Sequence, residues 1–109
     1  MDNIDIKGSK GAYFIPSVSF NAETGICELS GESFLEDTIE FYTPVLEWLK
    51  EYMKSGKPIV FNLSLTYFNT SSSRSILEIL RLLKKYQSSG NDVTVNWYYD
   101  EKDIDMEEE

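Results

Sequence analysis

The chain reads as one α/β domain, a mixed sheet with helices packed on it. Three observations predict this. Apolar or alternating runs of strand length stand at 18–20, 26–30, 59–67 and 93–98. Two longer stretches with helical periodicity lie between the later strands. The length, 109 residues, is that of a single domain with a modest core. The resulting order is β-β-α-β-α-β. A hairpin comes first, followed by two strand–helix–strand units long enough for crossovers between parallel strands. Together they make the sheet mixed.

Each element has its own warrant. Residues 1–11 are polar and contain glycine, which predicts a loosely held lead-in. Ala12-Tyr13-Phe14-Ile15 is a short extended piece stopped by Pro16. Val18 and Phe20 alternate with serines, Asn21 to Gly25 is a turn, and Ile26 to Ser30 is the returning strand of an antiparallel hairpin. Gly31 breaks that strand. Ser33 followed by Glu36 has capping-box spacing, which predicts a helix from about residue 34. Ile39, Tyr42, Leu46, Leu49 and Met53 share one face and are expected in the core. Phe41, Val45, Trp48 and Tyr52 form a second stripe, which either packs on the sheet or offers aromatic anchors to a partner. Pro44 predicts a kink, or two short helices meeting at Thr43-Pro44. Gly56 and Pro58 end the element.

The third strand runs from Ile59 to about Tyr67. The second helix runs from Thr70 to Ser88, with Ile76, Leu77, Leu80, Leu83 and Tyr86 expected on its core face. Ser88-Ser89-Gly90-Asn91 turns into the last strand, Val93 to Tyr98. An acidic tail, residues 100–109, closes the chain.

Composition excludes several functions. The net charge is −9, of which the last ten residues carry −6. Without a basic face, nucleic acid is not an expected partner. The chain has no histidine and one cysteine. That removes Ser-His-Asp and Cys-His catalysis and leaves no zinc site. No glycine-rich phosphate loop is present. Asp100, Asp103 and Asp105 only loosely match calcium-loop spacing and lack the central glycine. Glu36, Asp37, Glu40 and Glu47 are acids of a surface helix with no nucleophile beside them. Neither a metal nor a cofactor is therefore expected. Cys27 lies in an apolar strand and reads as an inert core residue. No run is long and apolar enough to cross a bilayer, and the start does not read as a signal peptide. A cytoplasmic protein is expected.

The most informative stretch is Tyr67-Phe68-Asn69-Thr70-Ser71-Ser72-Ser73-Arg74. Four consecutive hydroxyls sit where a strand hands over to a helix. A helix start offers unpaired N–H groups and the positive end of the dipole. Two readings follow. Asn69 or Thr70 simply caps the helix. Alternatively, one hydroxyl is a phosphoacceptor, with Arg74 one turn beyond Thr70 to pair with the phosphate.

Several blocks carry a resemblance: Ser30-Gly31-Glu32-Ser33, Glu40-Phe41-Tyr42-Thr43-Pro44 with Glu47-Trp48-Leu49, the Tyr67 to Ser73 block, and Asn96-Trp97-Tyr98-Tyr99 before acids. From about Ile15 to Met106 the chain resembles the SiaC family of bacterial regulatory phosphoproteins. The resemblance implies a fold like STAS domains and anti-sigma-factor antagonists. It implies a non-catalytic switch protein, phosphorylated by a serine/threonine kinase and dephosphorylated by a PP2C-type phosphatase. Carried to this chain, the acceptor falls on Thr70, with Ser71, Ser72 and Ser73 as the other hydroxyls of the block. In one branch of the family the unphosphorylated protein binds a diguanylate cyclase and stimulates cyclic-di-GMP synthesis. The partner surface is expected at Asn69, Thr70, Ser71 and Arg74, with Trp48 and Tyr52 as a second part. The competing reading is a small-ligand-binding domain or small enzyme using the same loop.

Overall fold

The computed structural model describes residues 1–11 and 13–98. Along these run β1 (Ile4–Ile6), β2 (Ser9–Lys10), β3 (Phe14–Ile15), β4 (Ser17–Phe20), β5 (Ile26–Ser33), α1 (Thr38–Met53), β6 (Ile59–Phe68), α2 (Thr70–Ser88) and β7 (Val93–Trp97). The main sheet has the order β1-β4-β5-β6-β7. β4 pairs antiparallel with β1 and β5, whereas β6 pairs parallel with β5 and β7. The sheet is thus mixed, with a hairpin and two helical crossovers as expected. β2 and β3 form a separate two-stranded ribbon, tied to the chain after β5 by a Phe14–Phe34 bridge.

One face of the sheet is apolar. Val18, Phe20, Cys27, Leu29, Ile59, Phe61, Leu63 and Leu65 are buried on it. They form one core with Tyr42, Val45, Trp48, Leu49 and Tyr52 of α1 and Ile76, Ile79, Leu83 and Tyr86 of α2. The strand residues that alternate with them, such as Ser19, Glu28, Ser30, Asn62 and Ser64, are more exposed, so their solvation is largely kept. Burial pushes the Cys27 thiol up to about 12, which keeps it protonated and unreactive.

Four expectations are corrected. The lead-in is partly ordered: Ile4, Asp5 and Ile6 pair with Phe20, Ser19 and Val18 to form an edge strand. α1 does not begin near residue 34. Ser33 is still in β5, paired with Phe68, because the ten-residue β6 carries its parallel partner this far. The cap is Asp37, whose carboxylate accepts from the Glu40 N–H at 3.0 Å. Of the two outcomes expected at Pro44, the pair of short helices is ruled out, because α1 is one continuous helix through it. Pro44 and Glu40 are exposed, so the Glu40 carbonyl that proline leaves without an N–H can be hydrated.

The last correction concerns the buried faces of the two helices. On α1 that face is centred on Val45, Trp48, Leu49 and Tyr52, and Ile39 is 75% exposed. The aromatic rings account for this. Trp48 stacks on Tyr52 at 5.3 Å between centroids and lies 5.2 Å from Phe20. Their polar tips are satisfied inside the protein: Trp48 Nε1 donates to the Asp2 carbonyl, and Tyr52 Oη to the Pro58 carbonyl. Rings of this size remove more apolar area from water than Ile39 does. On α2, Ile79 is buried where Leu77 was expected, and Leu77 is 46% exposed.

Gly25, in the β4–β5 turn, has a φ of 74°. A Cβ there would stand 2.3 Å from the Pro58 carbonyl oxygen and 2.4 Å from Tyr52 Oη. Gly25→Ala therefore combines a left-handed backbone with a clash in a packed corner. Urea unfolding should show a loss of about 2–4 kcal/mol.

Candidate functional site

The site is built where β6 ends and α2 begins. Asn69 has an extended backbone (φ −81°, ψ 173°) and is the helix cap. Its side-chain carbonyl accepts from the Ser72 N–H at 2.9 Å, its amide donates to the Leu35 carbonyl at 3.2 Å, and its backbone N–H donates to the Ser33 carbonyl at 3.0 Å. The junction is thereby fastened to the end of β5 and the chain just beyond it.

With Asn69 capping, the four hydroxyls divide. Ser72 is fully buried, and its oxygen accepts from Ser33 Oγ at 2.8 Å. Ser33 Oγ also shares a 2.7 Å hydrogen bond with Tyr42 Oη of α1. Ser73 is half-buried and donates to the Thr70 carbonyl at 2.7 Å. Thr70 and Ser71 are exposed, and their hydroxyls have no hydrogen-bond partner among the described residues. Thr70 is the first residue of α2, whose first turn contains no acid. The positive end of that helix is not offset by a side chain of its own first turn, so it favours a phosphoryl group.

Beside the junction, a groove of about 530 Å³ runs between α1 and α2. Ile39 and Leu46 line it from α1, and Ser71, Arg74, Leu77 and Arg81 from α2. Ile39 and Leu77 are exposed apolar side chains there. Arg81 is 3.5 Å from Glu78. Arg74, one helical turn from Thr70, is exposed.

Asn69, Thr70, Ser71 and Arg74 are thus brought together as expected. Trp48 and Tyr52 are not: both are buried in the core, which removes them from the surface. Ser72 likewise has no accessible hydroxyl to modify. The Ser33–Tyr42 partnership was not legible, since local pattern read Ser33 as a cap and Tyr42 as plain core. The three hydroxyls come from three elements, and only the sheet register joins them. Among the described residues, no group of three or more His, Cys, Asp or Glu side chains is placed to hold a metal ion.

The family model of the SiaC family regulatory phosphoproteins matches residues 6–109. The chain belongs to the SiaC family. It is 28% identical over 103 residues to an uncharacterized protein of Pseudomonas aeruginosa strain UCBPP-PA14, covering 94% of this chain and 79% of that protein. The crystal structure of apo-SiaC from Pseudomonas aeruginosa superposes with a TM-score of 0.88 at 27% identity, covering 95% of this chain and 84% of that one. A chain in the crystal structure of the diguanylate cyclase SiaD in complex with its activator SiaC, from the same organism, gives 0.84 at 26% identity, covering 94% and 85%. Membership makes this SiaC family chain a regulatory phosphoprotein, not an enzyme, which sets the small-enzyme reading aside.

The division of labour among the hydroxyls has a measurable consequence. Asn69→Ala removes the cap and should cost about 0.5–2 kcal/mol in chemical unfolding. Thr70→Ala removes an exposed group with no hydrogen bond among the described residues and should stay within about 0.5 kcal/mol of wild type. A large loss at Thr70 with none at Asn69 would reverse the assignment of the cap.

Proposed function

We propose that the chain is a phospho-switch adaptor whose acceptor is Thr70, and whose unphosphorylated form binds and activates a diguanylate cyclase. A serine/threonine kinase adds the phosphate and a PP2C-type phosphatase removes it, both in the cytoplasm. One observation carries the reading. In a family of regulatory phosphoproteins, Thr70 offers an exposed hydroxyl with no hydrogen-bond partner among the described residues, at a helix start and beside a partly apolar groove. The SiaC relative seen with its cyclase supports the choice of partner. No helix among the described residues is long and apolar enough to cross a membrane.

The switch works by charge. Phosphorylation adds roughly −1.5 to −2 charges at neutral pH. The first-turn N–H groups and Arg74 can hold that charge on the protein, so the fold tolerates the modified form. A partner surface packed over the neutral hydroxyl instead meets a hydrated dianion. Each tenfold loss of affinity needs only about 1.4 kcal/mol. Desolvating a misplaced phosphate costs several times that, so no large rearrangement is required.

Mass spectrometry of the protein purified from its native cells, lysed with phosphatase inhibitors, should find phosphothreonine at residue 70. Phosphate confined to Ser71 or Ser73, or none at any of the four positions, would overturn the assignment. Chromosomal replacements test the sign. Thr70→Ala should raise cellular cyclic-di-GMP above wild type. Thr70→Asp should lower it toward the level of a deletion, although aspartate carries less charge than phosphate. The Asp variant should be at least as stable as wild type, since an acid in the first turn contributes about 0.3–1 kcal/mol. Cyclic-di-GMP unchanged in both variants and in the deletion would remove the cyclase from the proposal.

A further inference from the structure

Beneath the phosphoacceptor lies a hydroxyl relay that its own role does not use. Tyr42 Oη, Ser33 Oγ and Ser72 Oγ form a chain with spacings of 2.7 and 2.8 Å. All three residues are at most 1% exposed. They come from α1, the end of β5 and the first turn of α2. Each hydroxyl has one proton. Since Ser33 donates to Ser72, the bond between Tyr42 and Ser33 takes its proton from Tyr42. The relay therefore runs one way, from Tyr42 through Ser33 to Ser72. Burial pushes the Tyr42 phenol up to about 12, so this donor keeps its proton at every physiological pH.

We infer that Tyr42, Ser33 and Ser72 are positioning residues for the modification of Thr70, an inference that rests on the reading given above. Ser72 is the only one of the four hydroxyl residues whose side chain points into the protein to this depth. Its backbone N–H is held by the Asn69 side chain and its Oγ by Ser33. Two attachments at one residue fix the rotation of the first turn about the helix axis. Thr70 and Ser71, at different angles around that axis, are turned outward as a result. The same relay reaches the groove, because Tyr42 lines its α1 wall while Ser71 and Arg74 line the other. A first turn free to fray would present Ser71 and Ser73 as readily as Thr70, and would let the two walls drift. Buried hydroxyls of this kind are costly unless every member is paired, so the relay tolerates only a narrow arrangement.

Tyr86 supplies the control. It lies at the far end of α2, where its Oη donates to the Lys57 carbonyl at 2.7 Å. Tyr86→Phe, like Tyr42→Phe, removes one phenol hydroxyl hydrogen bond and keeps the ring. The test compares Tyr42→Phe, Ser72→Ala and Tyr86→Phe by amide hydrogen exchange of the purified chains, and by phosphothreonine occupancy at residue 70 in native cells. The two relay variants should exchange the Ser72, Ser73 and Arg74 amides at least tenfold faster than wild type. Tyr86→Phe should leave these rates within twofold while lowering the melting temperature by a similar amount. Occupancy at Thr70 should fall at least threefold in the relay variants, with phosphate spreading to Ser71 or Ser73, and hold in the control. Should Ser72→Ala not fold, Tyr42→Phe decides alone. Equal first-turn exchange in Tyr42→Phe and Tyr86→Phe would overturn the inference, as would faster exchange with unchanged occupancy. A wild-type protein without phosphate at residue 70 would instead fail the earlier reading, and the exchange rates would still decide whether the relay fixes the turn.

Discussion

The rest of the structure depends on the parallel pairing of β5 with β6. It runs from Ile26 opposite Val60 to Ser33 opposite Phe68, with a register shift between Gly31 and Glu32. This ladder joins the hairpin half of the sheet to the crossover half. It also delivers Ser33 to the point where the chain leaves the sheet for α2. The Ser33 carbonyl receives the Asn69 N–H there, and the Ser33 hydroxyl reaches Ser72. A change of one residue in register would turn Ser33 to the opposite face and leave the helix start without its anchor.

Around that ladder, polar and apolar forces divide the work. The apolar face of the sheet and the two helices supply the burial that holds the layers together. That burial is not directional, and by itself it would accept α2 rotated by a fraction of a turn. The hydroxyls of Ser33, Ser72 and Tyr42, with the Asn69 amide, choose one rotation. In the same way Trp48 and Tyr52 contribute ring area to the core while their polar tips fix Asp2 and Pro58. Aromatic residues here act as orienting groups as much as filling.

Most of the architecture was legible in the sequence because its signals are local. The α2 boundaries, Thr70 and Ser88, follow from a cap, a helical period and a glycine-containing exit turn, and the structure places them there. The hairpin and the two crossovers follow from strand length and spacing. What local pattern missed depends on distant partners. Ser33 has the spacing of a capping box with Glu36, yet β6 is long enough to keep Ser33 in the sheet. Ile39 and Trp48 compete for one buried face, and only the rings of Phe20 and Tyr52 decide between them. At the site, four hydroxyls in a row were visible as a group. Their separate surroundings were not, because Ser72 owes its burial to residues 39 positions away.

Thr70 stands out in this structure for what it does not do. Asn69 holds the helix start, Ser72 reaches into the interior, and the threonine hydroxyl between them has no hydrogen-bond partner among the described residues. Native and modified chains should then be equally folded populations, with similar lifetimes against cellular proteases, whose access depends on unfolding. A phosphate added at this residue, as proposed, would change the composition of the pool and leave its size alone. It could be erased and rewritten on the same molecules, without waiting for synthesis or turnover.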